Sequence, residues 1–140
     1  TLSCTCDTTP FTPEARQTWF DDHQTDRYPL FVYESEGQVL GYAYLSPYRS
    51  SREALRSIAE ISYYVDFAVH RRGVATHLVH HTLHAAHHLG YKNLVAILLE
   101  CNAPSIALLE SFGFEPWGTL PMVAEPQNQH FSHLYYGLKL

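Results

Sequence analysis

The run from Glu60 to Leu99 constrains the fold more than any other part of the chain. Ile61, Tyr63, Tyr64 and Val65 are β-branched or aromatic, so Glu60–Val65 reads as a strand. A basic turn follows, His70-Arg71-Arg72-Gly73. Val74–Leu89 then carries Leu78, Val79, Leu83, Ala86 and Leu89 at helical spacing, and Gly90 stops the helix. Asn93–Leu99 is a continuous apolar run, the pattern of a buried parallel strand. Strand, helix and strand in this order predict a right-handed crossover. Where a strand feeds a helix through a basic, Gly-containing turn, free backbone N–H groups and the helix dipole favour an anion. Arg71 and Arg72 add guanidiniums that match phosphate oxygens. These residues point to a pyrophosphate-bearing ligand at Arg71–Ala75. A solvated basic loop is the alternative that this stretch leaves open.

The flanking segments fill in the rest. Thr12-Pro13-Glu14 is a helix start, and Ala15, Trp19 and Phe20 predict a buried stripe on a helix reaching about His23. Leu30–Glu34 and Gln38–Leu45 form a hairpin across Glu36-Gly37, and Gly41 marks a bulge or a close approach. Ser46-Pro47 ends the second strand, and Tyr48–Ile58 is a polar, basic loop or short helix. Ala103–Ser111 reads as a helix with Ile106, Leu109 and Phe112 as its apolar positions and Gly113 as its stop. Phe114–Leu120 and Phe131–Leu140 read as strands around a polar loop, Met122–Gln129. The expected fold is a mixed α/β sandwich with one parallel crossover.

At 140 residues and 46% hydrophobic content, the chain is expected to form one globular domain over 1–140, with an irregular segment at 1–10. A net charge of −5 argues against a general nucleic-acid binder. Five of the basic residues cluster at Arg49, Arg52, Arg56, Arg71 and Arg72. No apolar run reaches membrane-spanning length, and Thr1–Pro10 lacks the apolar core of a signal peptide, so a cytoplasmic location is expected. Three cysteines, Cys4, Cys6 and Cys101, suit a reducing compartment, and Cys4-x-Cys6 is too close for a zinc knuckle. Cys101 is expected to pack at a strand end. His77, His80, His81, His84, His87 and His88 share one helix face. No carboxylate completes a metal set there, so the expectation is a solvated, pH-sensitive face and no metal site. A histidine-rich metal-binding protein is the rival reading.

Two stretches together resemble the GNAT N-acetyltransferases. His70-Arg-Arg-Gly73-Val-Ala75 is similar to that family's acetyl-coenzyme A pyrophosphate loop, and Asn102-Ala-Pro-Ser105 through Gly113-Phe114 is similar to its Asn-x-x-Ser…Gly-Phe segment. Arg52 to Val65, Tyr28-Pro29-Leu-Phe-Val32, Gly41-Tyr-Ala43 and Pro47-Tyr48-Arg49 resemble the phosphinothricin and methionine sulfoximine acetyltransferase branch. The resemblance implies a mixed, mostly antiparallel sheet with one parallel β-α-β crossover. The family's first strand and helix have no counterpart ahead of the Trp19 helix. Two further departures stand out. His70 replaces the usual Gln or Arg, and Leu109 stands where relatives often carry Tyr or His, the proton donor to the leaving thiolate.

The resemblance also implies roles. Acetyl-CoA would lie between Glu60–Val65 and Asn93–Leu99. Backbone groups of Tyr63, Tyr64 and Val65 would meet its pantetheine arm. His70, Arg71, Arg72, Gly73, Val74 and Ala75 would hold its pyrophosphate, and Asn102 would contact the arm near the reacting end. Glu60 is the candidate catalytic base, since a carboxylate among apolar neighbours gains a raised pKa. Pairing of Glu60 with Arg56 or Arg52 is the bland alternative. Arg49 and Arg56 would bind a substrate carboxylate, or remain solvated loop charges. Tyr135 and Tyr136 are candidate replacement donors, with core packing as the plainer role. The implied function is acetyl-CoA-dependent N-acetylation of a small amino-acid-like amine by a homodimer. A low-activity acetyl-CoA binder and an acetyltransferase for a protein N-terminus or a polyamine are the alternatives.

Overall fold

The computed structural model describes residues 27–66, 69, 73–125 and 129–140. The expected Thr12–His23 helix, the 1–10 segment, Cys4, Cys6, His70, Arg71 and Arg72 lie outside the described residues. The described elements are β1 (Leu30–Ser35), β2 (Gln38–Pro47), a 3-10 turn (Glu53–Leu55), β3 (Ile58–Val65), α1 (Val74–His88), β4 (Asn93–Leu99), α2 (Ala103–Ser111), β5 (Glu115–Ala124) and β6 (Phe131–Lys139). They form a six-stranded sheet in the order β1-β2-β3-β4-β6-β5. The β3–β4 pair is parallel, with α1 as its crossover, and the other neighbours are antiparallel.

Local chemistry explains the element ends. Glu36 and Gly37 both have positive φ (53° and 76°), the requirement of a two-residue primed turn between antiparallel strands. Gly90 and Gly113 take φ of 90° and 92° just after α1 and α2, where the chain must leave a right-handed helix. Asn102 caps α2, its side chain accepting from Ser105 N–H at 3.4 Å.

Strand alternation sorts the sheet into two faces. Leu45, Ala59, Ile61, Leu94, Ala96 and Tyr136 point to one side and are buried against Val79 and Ala86 of α1 and Leu109 of α2. Near the start of α1, Leu40, Ala43, Val69, Val74 and Leu78 form a second cluster. Registers Ser46↔Glu60, Glu60↔Val95, Val95↔Gly137 and Glu115↔Gly137 place a row with Glu60 at its centre on the other face. Gly41 is the close approach that the sequence predicts: a Cβ there would sit 2.8 Å from the Tyr64 carbonyl oxygen and 3.1 Å from Leu78 Cδ1.

Four expectations need correction. Leu89 is 37% exposed rather than part of the buried stripe, because it is the C-cap of α1 and the chain turns away there; Thr82 fills the stripe instead, its hydroxyl donating back to the Leu78 carbonyl at 2.7 Å. Met122 to Ala124 continue β5 rather than starting a loop, since Met122 adopts φ 51° where the register slips and Ala124 still pairs with Phe131. Cys101 is an exposed free thiol rather than a packing residue. The second hairpin strand runs two residues further than expected, to Pro47, which pairs with Ala59 on β3.

Candidate active site

The sheet forks at Glu60. The β3–β4 register comprises Ile58↔Asn93, Ala59↔Leu94 and Glu60↔Val95, and stops there. Beyond it β3 continues on β2, from Ile61↔Leu45 to Val65↔Gly41. Meanwhile β4 continues on β6, from Ala96↔Tyr136 to Leu99↔His133. Each strand stays anchored by its outer neighbour while the inner edges separate, so the gap is held open by the fold.

Glu60 sits at the vertex of this fork, on the face opposite the helices. Burial pushes its carboxyl pKa above the ordinary 4.5. Among the described residues no ion pair links it to Arg52 or Arg56, so the bland pairing is not what the structure shows. Tyr63, Tyr64 and Val65 lie on the forked part of β3. Tyr63 points to the helix side, and its hydroxyl shares a hydrogen bond with the Ser105 hydroxyl in the first turn of α2. Burial pushes the Tyr63 phenol up to about 12, with the Ser105 bond acting the other way.

Gly73 is the N-cap of α1 in the left-handed region, and the first turn contains no acidic residue. The first return bond runs from His77 N–H to the Gly73 carbonyl at 3.0 Å, so the amides of Val74 and Ala75 precede the helical ladder. The site is therefore favourable for an anion. Asn102, at the far arm of the fork, spends its side-chain oxygen on the α2 cap.

Arg49 and Arg56 line one cavity of about 350 Å³, together with Arg27, Tyr28, Tyr48 and Arg52. The cavity adjoins the closed end of the fork, because Ile58, which shares Glu60's side of β3, also lines it. Arg27 donates to the Arg56 carbonyl and lies 4.6 Å from the Tyr91 ring centroid. Its Nε is buried and has no hydrogen-bond partner among the described residues. Sequence reading missed Arg27 because its partners lie 29 and 64 residues away, beyond any local pattern. Ser105 was visible in the Asn-x-x-Ser segment, but nothing in the sequence joined it to Tyr63.

The remaining candidates separate. Tyr136 is 7% exposed and donates to Glu110 at 3.4 Å, a core role. Tyr135 lies on the other face, edge-on to His133 at 5.9 Å. On α1, the His84 and His88 rings stack at 6.1 Å, while His81 meets Phe31 edge-on at 4.5 Å. Among the described residues no three His, Cys, Asp or Glu side chains group to hold a metal.

The site therefore combines a parallel pair that forks after three registered residues, a crossover helix between its two strands and a carboxylate at the vertex. The family model described as acetyltransferase (GNAT) family matches residues 1–114, and this chain belongs to that family. It is 37% identical over 110 residues to the phosphinothricin N-acetyltransferase of Streptomyces viridochromogenes, covering 77% of this chain and 60% of that protein. It is 34% identical over 118 residues to the L-methionine sulfoximine/L-methionine sulfone acetyltransferase of Pseudomonas aeruginosa, covering 84% of this chain and 68% of that one. The structure of a GNAT superfamily phosphinothricin acetyltransferase from Sinorhizobium meliloti in complex with acetyl-CoA matches with a TM-score of 0.92 at 26% identity, covering 99% of this chain and 75% of that chain. The chain is thus an acetyltransferase. No described helix is long and apolar enough to cross a membrane.

Proposed function

We propose that the chain is a single catalytic domain that transfers the acetyl group of acetyl-CoA directly to the amine of a small amino-acid-like substrate of the phosphinothricin or methionine sulfoximine type. The observation that carries this reading is the fork at Glu60, with the arginine-lined cavity at its closed end. Tyr63, Tyr64 and Val65 hold the pantetheine arm along the side of β3 that faces the fork. His70, Arg71 and Arg72, with the amides of Gly73, Val74 and Ala75, hold the pyrophosphate. Asn102 contacts the arm from the opposite side of the fork.

Amide formation requires a neutral amine. Glu60, with its affinity for protons raised by burial, removes the ammonium proton through a water. The amine nitrogen then attacks the thioester carbon, the C–S bond breaks with its electron pair leaving on sulfur, and the acylated nitrogen loses its extra proton to solvent to leave the neutral amide. Arg49 and Arg56 fix the substrate carboxylate with forked donors. Guanidiniums from Arg27, Arg49, Arg52 and Arg56 around one cavity repel a polycation, so the cavity favours an amino acid over a polyamine.

A homodimer is part of the same proposal. β5 is an edge strand that exposes Trp117, Leu120, Met122 and Val123. A cytoplasmic setting accords with the exposed free thiol of Cys101.

Calorimetry with coenzyme A and turnover over an amine panel test the reading. Coenzyme A binding with turnover of phosphinothricin or methionine sulfoximine is expected. Turnover confined to spermidine or to a peptide N-terminus would overturn the substrate class. Binding without any turnover would leave a non-catalytic carrier of the cofactor.

A further inference from the structure

Thioester aminolysis ends with charge on sulfur, and that charge needs a hydrogen-bond donor in the gap. Position 109 supplies none: Leu109 is aliphatic and 1% exposed. Tyr136 is committed to Glu110, and Tyr135 stands on the sheet's other face against His133. The helix side of the fork instead carries a pair of hydroxyls bonded to each other, Tyr63 on β3 and Ser105 on α2. Ser105 lies one helical turn before Leu109, on the same face of α2.

We propose that Tyr63, oriented by Ser105, is a further catalytic residue that hydrogen-bonds the departing coenzyme A thiolate. The proposal rests on the acetyl-transfer reading above. Three observations support it. Residues 60 and 63 differ by an odd number along β3, so Glu60 and Tyr63 reach the gap from opposite faces of the sheet. Aminolysis calls for this separation, because the amine adds on one side of the carbonyl and the sulfur departs on another. The shared bond also suits the role: either hydroxyl can donate in it, and with Ser105 O–H as the donor the phenol proton is available for sulfur and is polarised by the bond behind it. Finally, burial holds the phenol at about 12, above the roughly 8.5 of an ordinary thiol, so the proton stays on Tyr63 while it hydrogen-bonds sulfur. The thiolate leaves with a solvent proton, and Tyr63 emerges unchanged.

Tyr63→Phe and Ser105→Ala test the assignment in the full chain. Calorimetry should show coenzyme A affinity within about threefold of wild type for both, whereas kcat falls about 100-fold in Tyr63→Phe, as for removal of one transition-state donor, and less in Ser105→Ala. The decisive readout is the thiol of bound coenzyme A, titrated by the ultraviolet absorbance of its thiolate. Its pKa should be lower in the wild-type complex than in the Tyr63→Phe complex. Unchanged kcat overturns the proposal, and so does a fall in kcat that leaves the bound thiol's pKa unmoved, since the loss is then structural. Should Tyr63→Phe not fold, Ser105→Ala carries the same titration, with a smaller upward shift expected and no shift counting against the proposal. Failure of the wild-type chain to bind coenzyme A would instead remove the acetyl-transfer reading itself.

Discussion

Glu60 would couple stability to the proposed chemistry within one residue. Its raised carboxyl pKa means that the folded chain binds this proton more tightly than the unfolded chain. The associated stability is complete below the ordinary value of 4.5 and is lost as pH rises through the raised folded value. Above the raised folded value, the ionised Glu60 is therefore a cost to the fold, one that the proposed role of base would account for. Glu60→Gln should melt above wild type at pH 8, with the difference vanishing below the ordinary carboxyl value of 4.5, as read by calorimetric scans. The same variant should lose about 100-fold in kcat and the acid limb of the rate profile, which in wild type lies above the usual carboxylate range. A variant with an unchanged limb would take Glu60 out of the chemistry. His133 shows the opposite displacement, its pKa lowered by burial, so it favours the neutral imidazole on the same face of the sheet.

At the scale of elements, the fork depends on β2 holding β3 while β4 moves away. Gly41 is where that hold is tightest, since Tyr64 carbonyl and Leu78 both press on the missing Cβ. Gly41→Ala should cost about 1–3 kcal/mol in denaturant unfolding, and should weaken coenzyme A binding because Tyr64 and Val65 shift with it. Asn102 has two roles that one substitution pair separates. Asn102→Asp keeps the oxygen that caps α2 and removes the amide donor, whereas Asn102→Ala removes both. If Asn102 contacts the cofactor arm, both variants lose affinity in calorimetry, and only Asn102→Ala also loses up to about 1 kcal/mol of stability. If it only caps, Asn102→Asp binds as wild type does. The hairpin, the crossover and α2 were legible in the sequence because Glu36-Gly37, the 3.6-residue stripe and Gly113 act on their own neighbours. The fork itself was expected from family resemblance and not from local pattern, since it depends on where residues 35 positions apart stop pairing. The Tyr63–Ser105 bond, 42 residues apart, left no local trace, and the continuation of β5 past Met122 was hidden by a residue that changes register with positive φ.

For the whole molecule, the sheet's two edges are unlike. β1 lies against the α1 side, where Phe31 meets His81 and Tyr33 packs toward His77 at 6.0 Å. β5 lies at the other edge, where the half-exposed Trp117 lays its ring over the place where a Cβ on Gly137 would stand. Leu120, Met122 and Val123 remain 45%, 53% and 55% exposed on a strand that has one hydrogen-bonded neighbour among the described residues. Pro116, Gly118 and Pro121 limit how far another strand can add to that edge, so side-chain packing is the contact β5 offers best. In the proposed homodimer a second copy would bring the same apolar row to meet it, and two-fold symmetry would close such a contact. The expected outcome is a dimer by light scattering at micromolar concentration, and a monomer for Leu120→Glu with Val123→Glu, because charges on both sides of the symmetric contact repel. Val39, equally exposed at 53% but on the β1–β2 side, supplies the control: Val39→Glu should leave the mass unchanged. A monomeric wild type, or a dimer indifferent to both β5 charges, would assign the β5 row to some other contact than self-association.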